Sequence, residues 1–330
     1  MAPTTSMAAP AAAGTSFKAT AAIALVAALV GVGIGYALFG GTASPADQPI
    51  VIAILPTATA SEIQPRAAEL EAFLQDETGY EVDVLIPTTY SAVVEAVRFG
   101  HADAAFMSAW PMHLANTRAG AEVALAEVRT VTIDNATAEE TFYFSNYVVL
   151  EGSSFLDLEE LRGKRVAFTS TISTSGYLFP VYRLLQLGLI PAPATGQAAD
   201  PGAFFGEVVF AGGYSQAWAA LQAGTVDVAV IAGDVAASLY QEVMNGTRVL
   251  ETQGPVPSHG IVFSKDLQGD RRAKLQAALL KLGEPEHREL MRRMVSGIFV
   301  RFEATTTEEH LSALQPALVA TGFQWVDRMN

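Results

Sequence analysis

From residue 50 onward, short apolar runs alternate with longer stretches whose apolar residues recur at helical spacing. Runs bounded by turn residues fit strands buried on both faces, and the longer periodic stretches fit helices packed over them. The pattern predicts strands at Ile50 to Leu55, Val82 to Ile86 and Ala104 to Met107. Between and after them it predicts helices at Ser61 to Asp76, with Ser61 as cap, then Ser91 to Phe99 and Pro111 to Ala119. A second series begins near Thr141. Its strands are Phe142 to Leu150, Val166 to Phe168, Val208 to Ala211 and Val226 to Ala232. Its helices are Leu156 to Leu161, Tyr177 to Leu187, Ser215 to Ala223 and Val235 to Met244, and Pro191 to Gly202 reads as a surface excursion. His259 to Phe263 then returns to the first series, followed by helices at Arg271 to Leu282, Pro285 to Val295 and Glu308 to Thr321.

This alternation predicts an α/β fold of two lobes, each a mostly parallel sheet with flanking helices. Residues 50–140 and 255–330 would form lobe 1, and residues 141–254 lobe 2. Strands crossing between lobes make a hinge. Ligands of such sheets bind beyond the carboxyl ends of the strands, and closure around the ligand is the matching motion.

Ahead of the lobes, residues 1–20 are rich in Ala, Pro, Ser and Thr and read as disordered. Residues 21–40 are uncharged and apolar over Ala21 to Phe39, long enough for a membrane helix of about 20 residues. Residues 41–49 read as a linker. Lys18 precedes the apolar run and Asp47 follows it, which puts the lobes on the extracytoplasmic side. A cleaved signal peptide, cut near Thr42-Ala-Ser44, is the rival reading; it would leave the lobes periplasmic or secreted. The length of the apolar core favours an uncleaved anchor.

Composition narrows the chemistry. The chain of 330 residues has 34 acidic against 20 basic residues, a net charge of −14, which argues against nucleic acid as a partner. Local backbone dipoles can still hold a small anion. The absence of cysteine removes thiolate nucleophiles, disulfides, Cys-ligated zinc and a lipid-bearing Cys. The histidines, His101, His113, His259, His287 and His310, show no metal-ligand spacing. No nucleophile elbow, P-loop, zinc-protease helix or dinucleotide glycine motif is present, so the reading is a binding protein without cofactor or metal rather than an enzyme.

The richest stretch runs from Val166 to Pro180: a strand, then Thr169, Ser170, Thr171, Ser173, Thr174, Ser175 and Gly176, then a helix. A hydroxyl-lined helix start points backbone N–H groups and the positive helix end at an oxyanion. The same residues also fit an ordinary cap and turn.

Gly163-Lys-Arg-Val-Ala-Phe168 followed by Ser173-Thr-Ser-Gly-Tyr-Leu-Phe-Pro180 resembles the signature of the phosphonate-binding family of ABC-transporter periplasmic proteins. Ile54-Leu-Pro-Thr57, Tyr90 to Gly100, Ala102-Asp-Ala-Ala-Phe106, Leu156 to Arg165, Phe204 to Gly212 and Gly224 to Val230 resemble further family segments in the family's order. The resemblance implies a two-lobed periplasmic-binding-protein-like fold of type II. It implies capture of a small phosphorus oxyanion (phosphonate, phosphite or phosphate) and delivery to an ABC permease. A ligand-sensing ectodomain and, further off, an enzyme on the same scaffold are the alternatives.

By resemblance Ser173, Thr174 and Ser175 hold the phosphorus-bound oxygens, and Tyr90 contacts the ligand. Thr57 is either a helix cap or a contact after the first strand. Ser108 stands in Ser108-Ala-Trp-Pro111, where the family usually has a Gly-Pro turn, a departure that reshapes the cleft wall around Trp110. Tyr214 stands where the family commonly has a His, replacing one donor by another. Asp234 matches an acidic position and would accept from a P–OH or an amine, or else cap the following helix. His259 falls where relatives that bind aminoethylphosphonate use an acidic residue, which favours phosphite, methylphosphonate or phosphate.

Overall fold

Strand β1 (Ile50–Ile54) opens the fold, and its side chains alternate between two apolar clusters. Ile50, Ile52 and Ile54 enter one, and Ala53 and Leu55 the other, as the two-residue repeat of a strand buried on both faces requires. The computed structural model describes residues 48–324 apart from 56–59, 134–135, 234, 236 and 295. The expected disordered terminus, the membrane segment 21–40 and nearly all of the linker lie outside the described residues, as do Thr57 and Asp234. Among the described residues no helix is long and apolar enough to cross a membrane.

In chain order β1 is followed by α1 (Ala60–Thr78), β2 (Val82–Leu85), α2 (Tyr90–Arg98), β3 (Ala104–Met107), α3 (Ala109–Ala119), β4 (Glu122–Ile133) and β5 (Ala136–Glu140). The chain then enters a second sheet with β6 (Phe142–Leu150), β7 (Arg165–Phe168), α4 (Phe179–Gln186), β8 (Glu207–Phe210), α5 (Tyr214–Gln222), β9 (Val228–Ala232), α6 (Ala237–Gly246) and β10 (Thr247–Pro257). It returns through β11 (Gly260–Phe263), α7 (Gly269–Lys281), α8 (Arg288–Met294), β12 (Phe299–Ala304), α9 (Thr307–Leu311) and α10 (Gln315–Thr321). The first sheet runs β12-β4-β11-β3-β1-β2 with β5 attached to β4, and the second runs β10-β6-β9-β7-β8.

The expectation of mostly parallel sheets is corrected: both sheets are mixed. β2 and β3 flank β1 in parallel, and β8 and β9 flank β7 in parallel. Antiparallel strands complete each sheet: β11, β4, β12 and β5 in the first, β6 and β10 in the second. The parallel halves come from strand–helix–strand units. The antiparallel halves come from the strands that carry the chain from one sheet to the other and back, which arrive in the opposite direction. Those crossings lie side by side, with Phe142 facing Pro257 in register and the Ser258 N–H donating to Thr141 O at 2.9 Å.

Other boundaries move for local reasons. α1 begins at Ala60, so Ser61 lies inside it rather than capping it. The stretch Leu156 to Leu161 contains only a 3-10 turn, Glu159–Leu161. The long terminal helix is broken into α9, a 3-10 turn at Ser312–Leu314 and α10, with Pro316 in the first turn of α10. Proline lacks the N–H a continuous helix would need there. α10 packs against α4, and Thr321 O accepts from the Ala199 N–H at 2.7 Å.

Candidate functional site

The hydroxyl-rich stretch does not run straight from strand into α-helix. After β7, Thr174–Leu178 forms a single π-helical turn, and α4 starts only at Phe179. The Leu178 N–H donates to Ser173 O at 3.0 Å, and the Phe179 N–H reaches back to Thr174 O. Such widened turns recur at functional sites, because they re-aim backbone groups at a helix start. Ser173 caps the turn through Oγ, which accepts from the Gly176 N–H at 3.0 Å. Ser173, Thr174 and Ser175 are all buried.

Gly176 makes the turn possible. A Cβ there would lie 2.0 Å from Thr169 Oγ1 and 2.8 Å from Ser173 Oγ. Thr169 Oγ1 occupies the space that Gly176 leaves, and it is buried without a hydrogen-bond partner.

Three hydroxyls meet at Ser175. The Tyr143 OH donates to Ser175 Oγ at 2.7 Å, and Ser175 Oγ and the Tyr214 OH share a hydrogen bond of 2.7 Å. Tyr143 lies at the start of β6 and Tyr214 at the first position of α5, so the chain brings a crossing strand, the π turn and a second helix start to one point. From the first-sheet side, the backbone N–H of Trp110 donates to Thr174 Oγ1 at 2.8 Å. Ser108 is the N-cap residue of α3, yet its side chain makes no cap hydrogen bond, and Ser108 Oγ is buried without a partner. Tyr90 is buried at the first position of α2, in the same apolar cluster as Trp110 and Tyr214.

His259 sits one step away. Its ring centroid is 6.1 Å from that of Tyr143 and 5.2 Å from that of Phe106. Its Nδ1 meets Arg129 Nη2, and Arg129 Nη2 also donates to Glu127 Oε2 at 2.6 Å. Arg129 and Glu127 are fully buried, and the Arg129 guanidinium lies 4.2 Å from the Tyr143 ring centroid. Behind this cluster the His310 Nε2 pairs with Ser258 O at 3.0 Å. Burial pushes the His310 pKa down to about 4, although the Ser258 hydrogen bond opposes it.

An aromatic stack closes the far side. Phe323 lies between Trp110, with centroids 5.6 Å apart and planes at 14°, and Tyr177, at 4.8 Å and 8°. Burial drives the Tyr177 phenol up to about 12, with the Asp200 charge adding to it.

Of the residues singled out in the sequence, Ser175 and Tyr214 are hydrogen-bonded to each other, Ser173 and Thr174 adjoin Ser175 on the same turn, Thr174 accepts from the Trp110 N–H, and His259 lies against Tyr143. Sequence reasoning missed Tyr143, Glu127 and Arg129. Tyr143 lies inside a predicted strand, at the crossing, where a phenol pointing out of an apolar run is a usable signal. Glu127 and Arg129 are two apart on β4, a strand the pattern did not flag. Chemically the group offers buried hydroxyl donors beside helix-start N–H groups, a chemistry that suits a small oxyanion.

A model of a family described as the periplasmic substrate-binding protein of phosphonate ABC transporters matches residues 52–310. The chain is 25% identical over 186 residues to the phosphate-import protein PhnD of Mycolicibacterium smegmatis. That alignment spans 56% of this chain and 56% of that protein, so only about half of the relative's length is matched. Among solved structures, the binding component of a phosphonate ABC transporter from Pseudomonas aeruginosa superposes with a TM-score of 0.69 at 20% identity, covering 84% of this chain and 87% of that one. PhnD1 of Prochlorococcus marinus, solved with methylphosphonate, superposes with a TM-score of 0.66 at 15% identity, covering 83% and 98%.

Proposed function

The chain belongs to the family of periplasmic substrate-binding proteins of phosphonate ABC transporters, and on that premise we propose that it captures a small phosphorus oxyanion outside the cytoplasm and presents it to an ABC permease. The family is one of transport proteins rather than enzymes. The observation that carries the reading is the group around Ser175. There Tyr143, Tyr214 and the π turn of Ser173 to Gly176 converge on one buried hydroxyl. Such a site selects by geometry and hydrogen-bond count. An anion of the wrong shape leaves buried donors unpaired, at about 1–3 kcal/mol each.

Within this proposal Ser173, Thr174, Ser175 and Tyr214 donate to the phosphorus-bound oxygens, with Tyr143 donating to Ser175 behind them. Ser108, whose buried hydroxyl has no partner, and Tyr90 line the opposite wall. Thr57 and Asp234 follow the first strand and β9 in sequence, with Asp234 accepting a P–OH proton. His259 stands at the floor. Residues 50–140 with 255–330 and residues 141–254 act as two lobes that close on the ligand, and residues 21–40 anchor the protein to the membrane.

Isothermal titration of the full chain with phosphite, methylphosphonate, aminoethylphosphonate, phosphate and sulfate tests the reading. Micromolar or tighter binding of a phosphorus anion, with sulfate weak, is the expected result. Binding of none of them, or of sulfate alone, overturns it.

A further inference from the structure

Arg129 is among the largest fully buried side chains of the described residues, and the apolar core does not explain it. Burying an ion pair is weak evidence for stability, since apolar residues of similar volume often do as well or better. What the Arg129–Glu127 pair touches is more informative. Glu127 and Arg129 stand on one face of β4, two residues apart, and Glu127 Oε2 takes one guanidinium nitrogen at 2.6 Å. The same Nη2 meets His259 Nδ1. Arginine only donates, so Nδ1 accepts and the ring proton of His259 sits on Nε2. The guanidinium plane lies over the Tyr143 ring at 4.2 Å. The far end of that ring carries the hydroxyl that donates to Ser175 Oγ at 2.7 Å.

We infer that Arg129, held by Glu127, is a positioning residue of the oxyanion site: it orients Tyr143 so that its hydroxyl donates to Ser175, and it fixes the tautomer of His259. The inference rests on the oxyanion reading of the Ser175 group. A cation over the phenol face draws electron density from the ring, which makes the O–H a stronger donor. Ser175, having accepted from Tyr143, is polarised in turn and donates more strongly toward Tyr214 or a ligand oxygen. Glu127 cancels the formal charge, so the guanidinium acts by orientation and polarisation rather than as a counter-ion. This pair also gives an anion site beside a His a cation that acts through an aromatic ring.

The test uses the full chain and four proteins: wild type, Tyr143→Phe, the paired variant Glu127→Leu with Arg129→Met, and the triple variant. Replacing both charges together avoids stranding one of them buried, so the fold is retained, as thermal melting checks. Titration with phosphite and methylphosphonate is expected to show affinity at least fivefold weaker for the paired variant at a wild-type melting temperature. Tyr143→Phe is expected to weaken binding similarly, and the triple variant to be no weaker than the worse of the two. Wild-type affinity in the paired variant, or losses that multiply in the triple variant, overturn the positioning role. Failure of the wild type itself to bind overturns the oxyanion reading instead. Should the paired variant melt early, Arg129→Lys decides: it keeps the charge without the planar fork, and undiminished affinity then overturns the proposal.

Discussion

Thr174 caps a helix that belongs to the other sheet. Its Oγ1 accepts from the backbone N–H of Trp110, the second residue of α3, at 2.8 Å, the place that the N-cap residue Ser108 leaves unfilled. A cap bond ordinarily comes from the residue just before the helix. Here it comes from 64 residues away and ties the first-sheet side to the π turn.

Thr174→Val keeps the side-chain shape and removes the acceptor. The Trp110 N–H is then buried without a partner, at a cost of about 1–3 kcal/mol. On the proposed two-lobe closure the bond belongs to the closed form, and we expect the cost to fall there. Oxyanion affinity should drop by about tenfold, since about 1.4 kcal/mol is one decade. Calorimetric titration checks this, and an unchanged Kd would remove the trans-cap role.

Gly176→Ala is expected to abolish binding and lower the melting temperature, because the new Cβ would sit 2.0 Å from Thr169 Oγ1 and 2.9 Å from Thr169 Cγ2. Two of the three clashing atoms belong to Thr169, the third being Ser173 Oγ at 2.8 Å. Thr169→Ala in the Gly176→Ala background should therefore recover part of the melting temperature. If the double variant melts as low as the single one, the clash is not what Gly176 avoids.

The hydroxyl-rich turn after β7 and the parallel halves of both sheets were legible in the sequence because their signals are local. Val166 to Phe168 is apolar on both faces, and the serines and threonines after it are contiguous. The antiparallel halves were hidden. β4 reads Glu122-Val-Ala-Leu-Ala-Glu-Val-Arg-Thr-Val-Thr-Ile133, and its charges at Glu127 and Arg129 look like a solvated face until the fold turns them inward. Their partners, His259 and Tyr143, are supplied by crossing segments remote in sequence, so no window along the chain contains the cluster. The π turn was equally invisible: Tyr177 to Leu187 has helical spacing, and nothing in it distinguishes a widened turn at Thr174–Leu178 from a continuous α-helix.

His310 sets an acid limit on stability. Burial lowers its pKa from 6.5 to about 4, so the folded state disfavours the proton that the unfolded chain accepts. Arg129 and His259 face it and lower it further, while Glu309 and the Ser258 carbonyl oppose them. The stabilisation is fully present above about pH 6.5 and is lost as pH falls toward 4, and the whole gap is worth about 3 kcal/mol. His310→Gln can keep a donor to Ser258 O without titrating. Denaturant melts at pH 7 and pH 4.5 should show a smaller acid loss in the variant than in the wild type. Equal losses would mean that His310 is not the group responsible.

On the proposed closure of two lobes, Phe323 acts as a latch at the junction that Thr174 caps. Its ring is stacked on Trp110 from the first-sheet side and on Tyr177 from the π turn, and it is 8% exposed. Gly322 aims it there from a left-handed turn at φ 63°, where a Cβ would lie 2.4 Å from Gln197 O. Aromatic pairs add about 0.5–1.5 kcal/mol each beyond buried area. A ring that bridges two sides contributes part of that only when they are together. We expect Phe323→Ala to lower the melting temperature and also to weaken every oxyanion by a similar factor, about tenfold, because it acts on closure rather than on ligand contacts. Phe323→Leu should restore the melting temperature more than the affinity, since it refills volume without the stack. A melting temperature that falls while all affinities hold would make the stack purely structural. A change in the ranking of ligands would make it a wall of the binding site instead of a latch.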